Sequence, residues 1–465
     1  MAGEAIPVRA VGTATHAHPR EAPYRLFIAT SLALALGGGF MLAVLVPLAH
    51  ARGWAALAGV RGLSLTQAHG QLQLLGFAGL FVMGMALRLV PRVSGRPLTL
   101  VAWTPAIAPL VATSVVARFL AQPMPDGAAG DVALVASAAL LLAAAALFWP
   151  AVVVTALGRG SRAEATGWCF ALGATAYAAA GLNAAIVAEM VRDSLASAPI
   201  PKQDALIFVE LFGVLMAFIG GVATRALPTM SGRPRPDRAT RAAVVALGAS
   251  VAAGAVALLL RAYDAPGDTS APAFDGALLG VAAALVAFAW LSGVIWMRAD
   301  RVAAASRPAF WLARAGMAWL LAGAALLAWY AGWALADGTI IGAFEMDAVR
   351  HTLTVGVVTT MIAGMALLIV PEFAGRRLQH PGEGWLLPLL AVALSAATAL
   401  RVWPAVAGID WVEATRYWPM FAAGSVAIVA VGLFAAMFGQ SWWEQRRPGW
   451  ASAEALAERG RVRNG

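Results

Sequence analysis

The chain has few residues of the kinds that form thiolate metal sites or a soluble surface. Among 465 residues there is one cysteine, Cys169, and only 12% of the residues are charged. A single cysteine excludes an intramolecular disulfide, a thiolate zinc site, an iron–sulfur cluster and c-type haem attachment. Any metal or haem must therefore be held by His, Met, Tyr or carboxylate side chains, and the chain has six histidines.

Long apolar runs are abundant instead, with 61% of the residues hydrophobic. Crossing a hydrocarbon core of about 30 Å takes roughly 20 apolar residues in a helix. Because helices satisfy their own backbone hydrogen bonds in lipid, the runs predict an all-α polytopic membrane protein with twelve transmembrane helices. The predicted spans are 24–48, 69–91, 101–121, 132–157, 167–190, 204–227, 242–262, 275–297, 309–335, 347–370, 385–403 and 417–439.

The spans leave no segment long enough for a separate soluble domain. We predict a cytoplasmic N-terminal tail (1–23), a twelve-span transmembrane domain (24–439) and a cytoplasmic C-terminal tail (440–465). The first 23 residues contain acidic side chains and no apolar core, so they do not resemble a signal peptide. Span 1 is expected to act as an uncleaved insertion signal.

The net charge of +9 is distributed very unevenly. The termini and the loops after even-numbered spans hold twenty Lys and Arg. The loops after odd-numbered spans hold four, or eight if the helix-end residues Arg261, Arg350, Arg401 and Arg416 are included. This is the positive-inside bias, and it predicts that both termini are cytoplasmic. The basic charge therefore reflects membrane topology, with lipid rather than nucleic acid as the partner.

One sequence pattern, Gly-x-Ala-x4-Pro-x3-Gly-Arg, closes spans 2, 6 and 10. Its prolines lie 137 and 143 residues apart, which leaves room for four spans in each unit. Periodicity on this scale indicates structural repetition, here three pseudo-repeated four-helix units. The copies are Gly84/Ala86/Pro91/Gly95/Arg96, Gly221/Ala223/Pro228/Gly232/Arg233 and Gly364/Ala366/Pro371/Gly375/Arg376.

Two histidines stand at the heads of predicted spans 2 and 10, in similar places of the first and third units. They are His69 and His351. Two imidazoles that face each other can hold a haem iron on both axes. Asp347 lies one helical turn before His351, where its carboxylate could accept the second imidazole N–H. The alternative is that the histidines make ordinary hydrogen bonds at the membrane interface and that Asp347 is a solvated acid.

Four further side chains are candidates for the same site. His50 closes span 1 at the same end and is a third candidate metal ligand, and Glu210 lies inside the apolar part of span 6, where ionisable groups usually mark a proton or ligand path. Arg401 and Arg416 flank the loop between spans 11 and 12 and could bind haem propionates. The alternatives are an interfacial histidine, a buried neutral glutamate and snorkelling arginines. The remaining histidines are predicted to be cytoplasmic: His16, His18 and His380.

Several short motifs resemble those of the NnrS family, and the resemblance covers about residues 23–440. It implies a twelve-span protein of the bacterial cytoplasmic (inner) membrane that binds haem and copper and takes part in the response to nitric oxide and nitrosative stress. It also implies that His69 and His351 take part in binding the haem and copper. The motifs are Pro23-Tyr24-Arg25-Leu26-Phe27, Ala68-His69-Gly70, Ile219-Gly220-Gly221 and His351-Thr352-Leu353-Thr354-Val355-Gly356.

The chain departs from that family's pattern at two places. Gln67 stands where the family usually has a histidine, and Pro371-Glu372-Phe373 stands where it often has another. Copper binding is therefore less well supported than haem binding.

A more distant resemblance is to the catalytic subunit of haem–copper oxidases and nitric oxide reductases. It implies a pseudo-threefold bundle of twelve spans with a low-spin haem on spans 2 and 10. The binuclear centre of those enzymes needs several histidines on spans 6, 7 and 10, and spans 6 and 7 have none here. Reduction of oxygen or nitric oxide by that mechanism is not expected.

The sequence thus predicts a membrane haem protein, with the haem taken as b-type and copper as a further candidate. Nitric oxide or a redox protein would be its partner, and whether a reaction is turned over is left open. A cofactor-free transporter of a small molecule is the main alternative, because repeats and Gly-interrupted spans also occur in transporters. An assembly factor for a respiratory complex is a third.

Overall fold

The computed structural model describes residues 24–54, 59–124, 127–162, 164–263, 270–302, 306–339, 341–373, 383–407 and 413–444. The predicted N-terminal tail and most of the C-terminal tail lie outside these ranges. His16, His18 and His380 also lie outside them, as do Gly375 and Arg376 of the third motif copy. Within the described ranges all regular structure is helical.

Twelve long helices make up the described fold, which confirms the all-α membrane class. Eleven of them are long and apolar enough to cross a membrane, and the continuous helix over 343–373, with its polar first turns, is the twelfth. The helices are α1 (Tyr24–Ala51), α2 (59–94), α3 (Thr104–Ala121), α4 (Ala128–Leu157), α5 (Ala165–Arg192), α6 (Ile200–Met230), α7 (Asp237–Ala262), α8 (Ser270–Ser292), α9 (Arg307–Asp337), α10 (343–373), α11 (Glu383–Val406) and α12 (Glu413–Glu444). A 3₁₀ turn, Ala299–Arg301, precedes α9.

Both candidate histidines lie inside helices rather than at helix starts. Helix α2 begins ten residues before His69, and α10 begins eight residues before His351. The predicted starts were too late because the first turns carry polar residues. In α2 those residues are bound by protein: the Ser64 hydroxyl donates to the Ala196 carbonyl (2.6 Å), and the Gln67 amide donates to the Ala198 carbonyl (2.8 Å). A helix can therefore continue beyond its apolar run.

Helices α2, α6 and α10 form the centre of the bundle. The apolar windows of α2 and α6 are 83% and 89% buried, against 33–56% for the other candidate spans. In α10 every residue from Gly356 to Leu367 is buried. The other helices surround this trio, and α12 packs against α1 to close the ring.

The first glycine of each sequence repeat marks a close helix crossing. Each lies in an inner helix and contacts the helix that precedes it in the chain. A Cβ on these glycines would lie within 3 Å of a Cβ on the neighbour, too close for any larger residue. The pairs are Gly84 with Phe27 of α1 (2.5 Å), Gly221 with Cys169 of α5 (2.6 Å) and Gly364 with Leu312 of α9 (2.9 Å). The threefold repeat is thus a repeated helix-pair packing.

Each inner helix also contains a π-helical segment at the same register. The segments are Leu72–Gly79, Val209–Leu215 and Thr352–Thr359, and each begins nineteen residues before the motif proline. A fourth, Ala35–Gly39, lies in α1. Such segments occur often at functional sites. The end of the bundle where even-numbered helices begin is called the upper end below.

Candidate functional site

A cavity of about 630 Å³ opens at the upper end of the bundle, between the three inner helices and α1, α7, α8, α11 and α12. Its volume lies in the usual range for small-molecule sites. Most of its wall is apolar, with aromatic rings from α1, α2 and α6. Its polar lining consists of His50, Thr66, Gln67, His69, Gln73, Gln203, Asp204, Arg261, Asp347, Arg350, His351, Thr354, Thr359, Arg401 and Tyr417.

The structure brings His69 and His351 to this one cavity from two inner helices whose π segments contact each other. Nδ1 of His69 lies 2.9 Å from the carbonyl oxygen of Gly39, in the π segment of α1. Nδ1 of His351 lies 2.9 Å from the carbonyl oxygen of Asp347. A ring nitrogen that faces a carbonyl must be the one that carries the proton in a neutral imidazole. Both rings therefore keep Nε2 as an open lone pair, which suits metal ligation.

His351 is held by a chain of polar contacts that runs from Arg401 through Asp347 to its Nδ1 atom. The Asp347 carboxylate lies 3.1 Å from Nδ1 of His351 through Oδ1, and 2.6 Å from a guanidinium nitrogen of Arg401 through Oδ2. Arg401 comes from α11, so the chain ties two helices to one imidazole. A carboxylate in this position holds the ring orientation and increases the basicity of the other nitrogen.

His50 and Arg416, also predicted for the site, occupy different positions. His50 lines the cavity, with Nδ1 2.9 Å from the Val46 carbonyl and its ring 4.9 Å from that of Tyr417. The Arg416 guanidinium lies over the ring of Phe344, 4.3 Å from its centroid, and is not among the residues that line the cavity. Arg416 therefore stands behind the wall.

Sequence reasoning missed an ion pair in the wall. Arg350 of α10 donates to Asp204 of α6 at 2.8 Å, and both residues line the cavity. The available signal was the presence of opposite charges in the first turns of two inner spans. Among the residues that the structure describes, the cavity included, no group of three or more His, Cys, Asp or Glu side chains is arranged to hold a metal ion.

Glu210 is buried in the π segment of α6, with 1% of its surface exposed. One carboxylate oxygen accepts a hydrogen bond from the Gln71 amide (3.2 Å), and the other has no hydrogen-bond partner in the described structure. Glu210 does not line the cavity, although its neighbours Leu211 and Phe212 do. It is therefore separate from the histidine pair.

A second buried feature that sequence reasoning missed is the guanidinium of Arg118 in α3, 2% exposed. It donates to the side-chain oxygens of Gln122 and Gln203, both at 3.0 Å, and to that of Asn183. Gln122 in turn donates to Gln67 (2.6 Å). The rule that intramembrane charges mark interior sites would have singled out Arg118, because it lies within predicted span 3. Gln67, where the family usually has a histidine, belongs to this network.

Comparison with known proteins gives two findings. A family model described as NnrS protein matches residues 20–446. No curated protein matches the chain. A cryo-EM structure of a heme-copper terminal oxidase dimer superposes with a TM-score of 0.67 at 12% identity, over 92% of this chain and 85% of that chain. The second likeness shows a shared fold, and both agree with the resemblances in the sequence.

Proposed function

The chain belongs to the NnrS family, and from this premise we propose that it is a multi-pass membrane haem protein of the response to nitric oxide and nitrosative stress. The haem iron would be held between His69 and His351. One observation carries the proposal: both imidazoles line a single cavity from two inner helices, and both have Nδ1 engaged by a carbonyl, which leaves Nε2 open.

The residues that line the cavity fit such a group. Two neutral imidazoles, those of His69 and His351, are ligands that haem iron would accept. The apolar walls suit a macrocycle, and Arg401 offers a guanidinium of the geometry that carboxylates prefer. Arg416 stands behind the wall and would act through Phe344 rather than on a propionate directly. When bound, such a haem would supply one-electron chemistry.

The chain's own residues would determine how firmly His351 is held. Asp347 accepts from the imidazole and is itself bound to Arg401, so the ring orientation depends on α11 as well as α10. This arrangement favours a stable ligand at position 351. His69 is positioned by one backbone carbonyl, that of Gly39, and would therefore be held less firmly than His351.

The described residues do not fit a copper site. They include no group of three or more suitable ligands, and Gln67 is committed to Gln122 and to the Ala198 backbone.

The proposed location is the bacterial inner membrane, with both termini in the cytoplasm. The asymmetric distribution of Lys and Arg supports this orientation. The upper end of the bundle, and with it the histidine cavity, would then face the outside of the cytoplasmic membrane. Nitric oxide would reach the cavity from that side or through the lipid.

The test is the absorption spectrum of protein purified after haem-replete expression. A Soret band is expected in the wild type, and His69→Ala and His351→Ala should each lose the low-spin spectrum. His50→Ala removes a third imidazole from the same cavity and is the matched control, expected to keep the spectrum. Wild-type protein that never co-purifies with haem would contradict the proposal.

The link to nitric oxide needs a separate experiment. A strain that lacks this gene should grow more slowly under a nitric oxide donor, and the wild-type gene should restore growth while His351→Ala does not. Equal restoration by both would separate the protein's cellular role from the proposed haem.

A cofactor-free transporter is the second candidate, and the buried charges of Glu210 and Arg118 are the observation that favours it. Such groups also line transport paths. Substrate uptake into proteoliposomes that survives substitution of both His69 and His351 would support the transporter.

A further inference from the structure

The tetrapeptide Ser-Gly-Arg-Pro ends two of the three inner helices, at 94–97 after α2 and at 231–234 after α6. In both copies the glycine adopts positive φ, 71° at Gly95 and 68° at Gly232. The two arginines, Arg96 and Arg233, then reach over a glycine at the end of the helix two places further along. A Cβ added to that glycine, Gly158 after α4 or Gly293 after α8, would meet the guanidinium. The two sites can therefore be compared group by group.

Among the described residues, the guanidinium has a hydrogen-bond partner at only one of the two sites. Arg96 donates to the carbonyl of Val154, four residues before Gly158, at 3.0 Å. The corresponding carbonyl in α8 belongs to Ala289, four residues before Gly293, and it accepts the hydroxyl of Ser292 at 2.7 Å. Arg233 is exposed and finds no hydrogen-bond or ion-pair partner among the described residues. The end of α4 therefore provides a hydrogen-bond acceptor for Arg96, whereas the end of α8 leaves Arg233 free to bind another group.

The available arginine lies beside an aromatic pocket. An open pocket of about 500 Å³ separates the lower ends of α6 and α8. Two tryptophans form its aromatic side, with ring centroids 4.8 Å apart, and they are 60% and 54% exposed. None of the described residues that line it is acidic. The lining residues are Pro228, Arg233, Pro234, Pro236, Trp290, Leu291, Gly293 and Trp296.

We propose that this pocket binds the headgroup of an anionic phospholipid, with Arg233 on the phosphate and Trp290 and Trp296 against the glycerol and first acyl carbons. Guanidinium groups recognise phosphate through paired N–H donors. Tryptophans settle at the headgroup level of membranes, where the ring is in lipid and the indole N–H meets polar oxygens. Basic pockets between transmembrane helices are known lipid sites. The inference is independent of the proposed haem.

The test is native mass spectrometry of the full-length protein in detergent, with equal amounts of phosphatidylglycerol and phosphatidylcholine of matched acyl chains. The wild type should retain phosphatidylglycerol preferentially. Arg233→Gln should weaken phosphatidylglycerol binding about fivefold, the effect of one cation near an anionic lipid, and leave phosphatidylcholine unchanged. Trp290→Ala should also weaken phosphatidylglycerol binding, although the charge of Arg233 is retained.

Arg96→Gln is the matched control, because it makes the same change in the same tetrapeptide at the satisfied site. It should leave the lipid preference unaltered. The inference is overturned if Arg233→Gln keeps the wild-type preference, or if Arg96→Gln lowers it equally. Displacement of phosphatidylglycerol by millimolar inorganic phosphate would also overturn it, since the site would then recognise a free anion. A melting temperature near that of the wild type verifies that each variant is folded.

Discussion

At the scale of single residues, the three histidines that line the cavity share one arrangement. In His50, His69 and His351 the Nδ1 atom lies 2.9 Å from a backbone carbonyl oxygen. In the neutral tautomer with the proton on Nδ1, each of the three rings would present Nε2 as its free nitrogen. Only His351 adds a carboxylate to this arrangement, and this difference should be measurable.

Asp347→Asn is expected to raise the midpoint potential of a haem bound by His351. The ionised carboxylate makes the imidazole a stronger donor and so favours the oxidised iron, whereas a neutral amide does not. The expected rise is up to about 60 mV, which corresponds to a tenfold change in preference between the two oxidation states. A redox titration followed by absorption measures it.

Asp204→Asn is the control for that measurement. It also removes a carboxylate from the cavity wall, but Asp204 binds Arg350 and does not contact His351. A potential shifted equally by both variants would reflect loss of negative charge in general, and a fall with Asp347→Asn would contradict the proposed role.

Arg118 should be among the most costly residues to replace. Arg118→Leu leaves the side-chain oxygens of Gln122, Asn183 and Gln203 without their donor inside the protein. Buried polar groups left unpaired cost about 1–3 kcal/mol each, so the loss of stability should reach about 3 kcal/mol or more. Unfolding of purified protein in detergent measures it. Arg298→Leu, at an exposed arginine paired with Asp300, should change stability by less than about 1 kcal/mol.

At the scale of helices, the glycine of the repeated motif determines how each inner helix meets its neighbour. Gly84→Ala places a methyl group 2.5 Å from the Cβ of Phe27 and should destabilise the protein by about 1–3 kcal/mol through overpacking. Gly432→Ala in α12 meets nothing within 4 Å, and should instead stabilise by roughly 0.5–1 kcal/mol. Thermal unfolding of the two variants should therefore move in opposite directions.

The repeated motif was visible in the sequence, but the reason for the repetition was not. Proline and the second glycine act locally, and their effect on a helix end follows from the residues themselves. The first glycine acts on Phe27, Cys169 or Leu312, and no spacing along the chain identifies a partner on another helix. Apolar runs likewise predicted the twelve helices but not the polar first turns of α2 and α10, which protein contacts stabilise.

The π segments explain a further difference from the sequence interpretation. His351 lies one residue before its segment and His69 three residues before its own, so the two do not occupy the same register. The apolar pattern cannot show this, because a π segment changes the rotation of a helix without interrupting its hydrophobicity. That the two histidines nevertheless line one cavity could be learned only from the structure.

At the scale of the whole molecule, the three four-helix units differ in the polar side chains that their inner helices carry. The inner helices share glycine, proline and π segment, yet the upper parts hold His69, Glu210 and His351 respectively. A common scaffold therefore carries a histidine in the first and third units and a glutamate in the second. The repeated residues determine the fold and the differing polar residues form the candidate site. The fold was therefore easier to predict from the sequence than the function.

Membrane orientation can be tested on the whole chain with single cysteines. Cys169 is buried and should react little, so it gives a low background. Tyr263→Cys, in the loop after α7, should react with an impermeant maleimide added outside spheroplasts. Arg298→Cys, in the loop after α8, should react only after the membrane is opened. The reverse pattern would invert the proposed topology and place the cavity on the cytoplasmic side.

The π segments of α2 and α10 have a mechanical consequence. The packing glycines Gly84 and Gly364 lie below these segments, and the imidazoles lie above them. Each π segment therefore sets the rotation between the lower part of the helix, which packs on its neighbour, and the upper part, which carries the histidine. One residue removed within such a turn would swing the imidazole by about 100° about the helix axis while the anchor stayed in place. The extra residue of the π segment thus sets the direction in which the upper part of each inner helix presents its side chains.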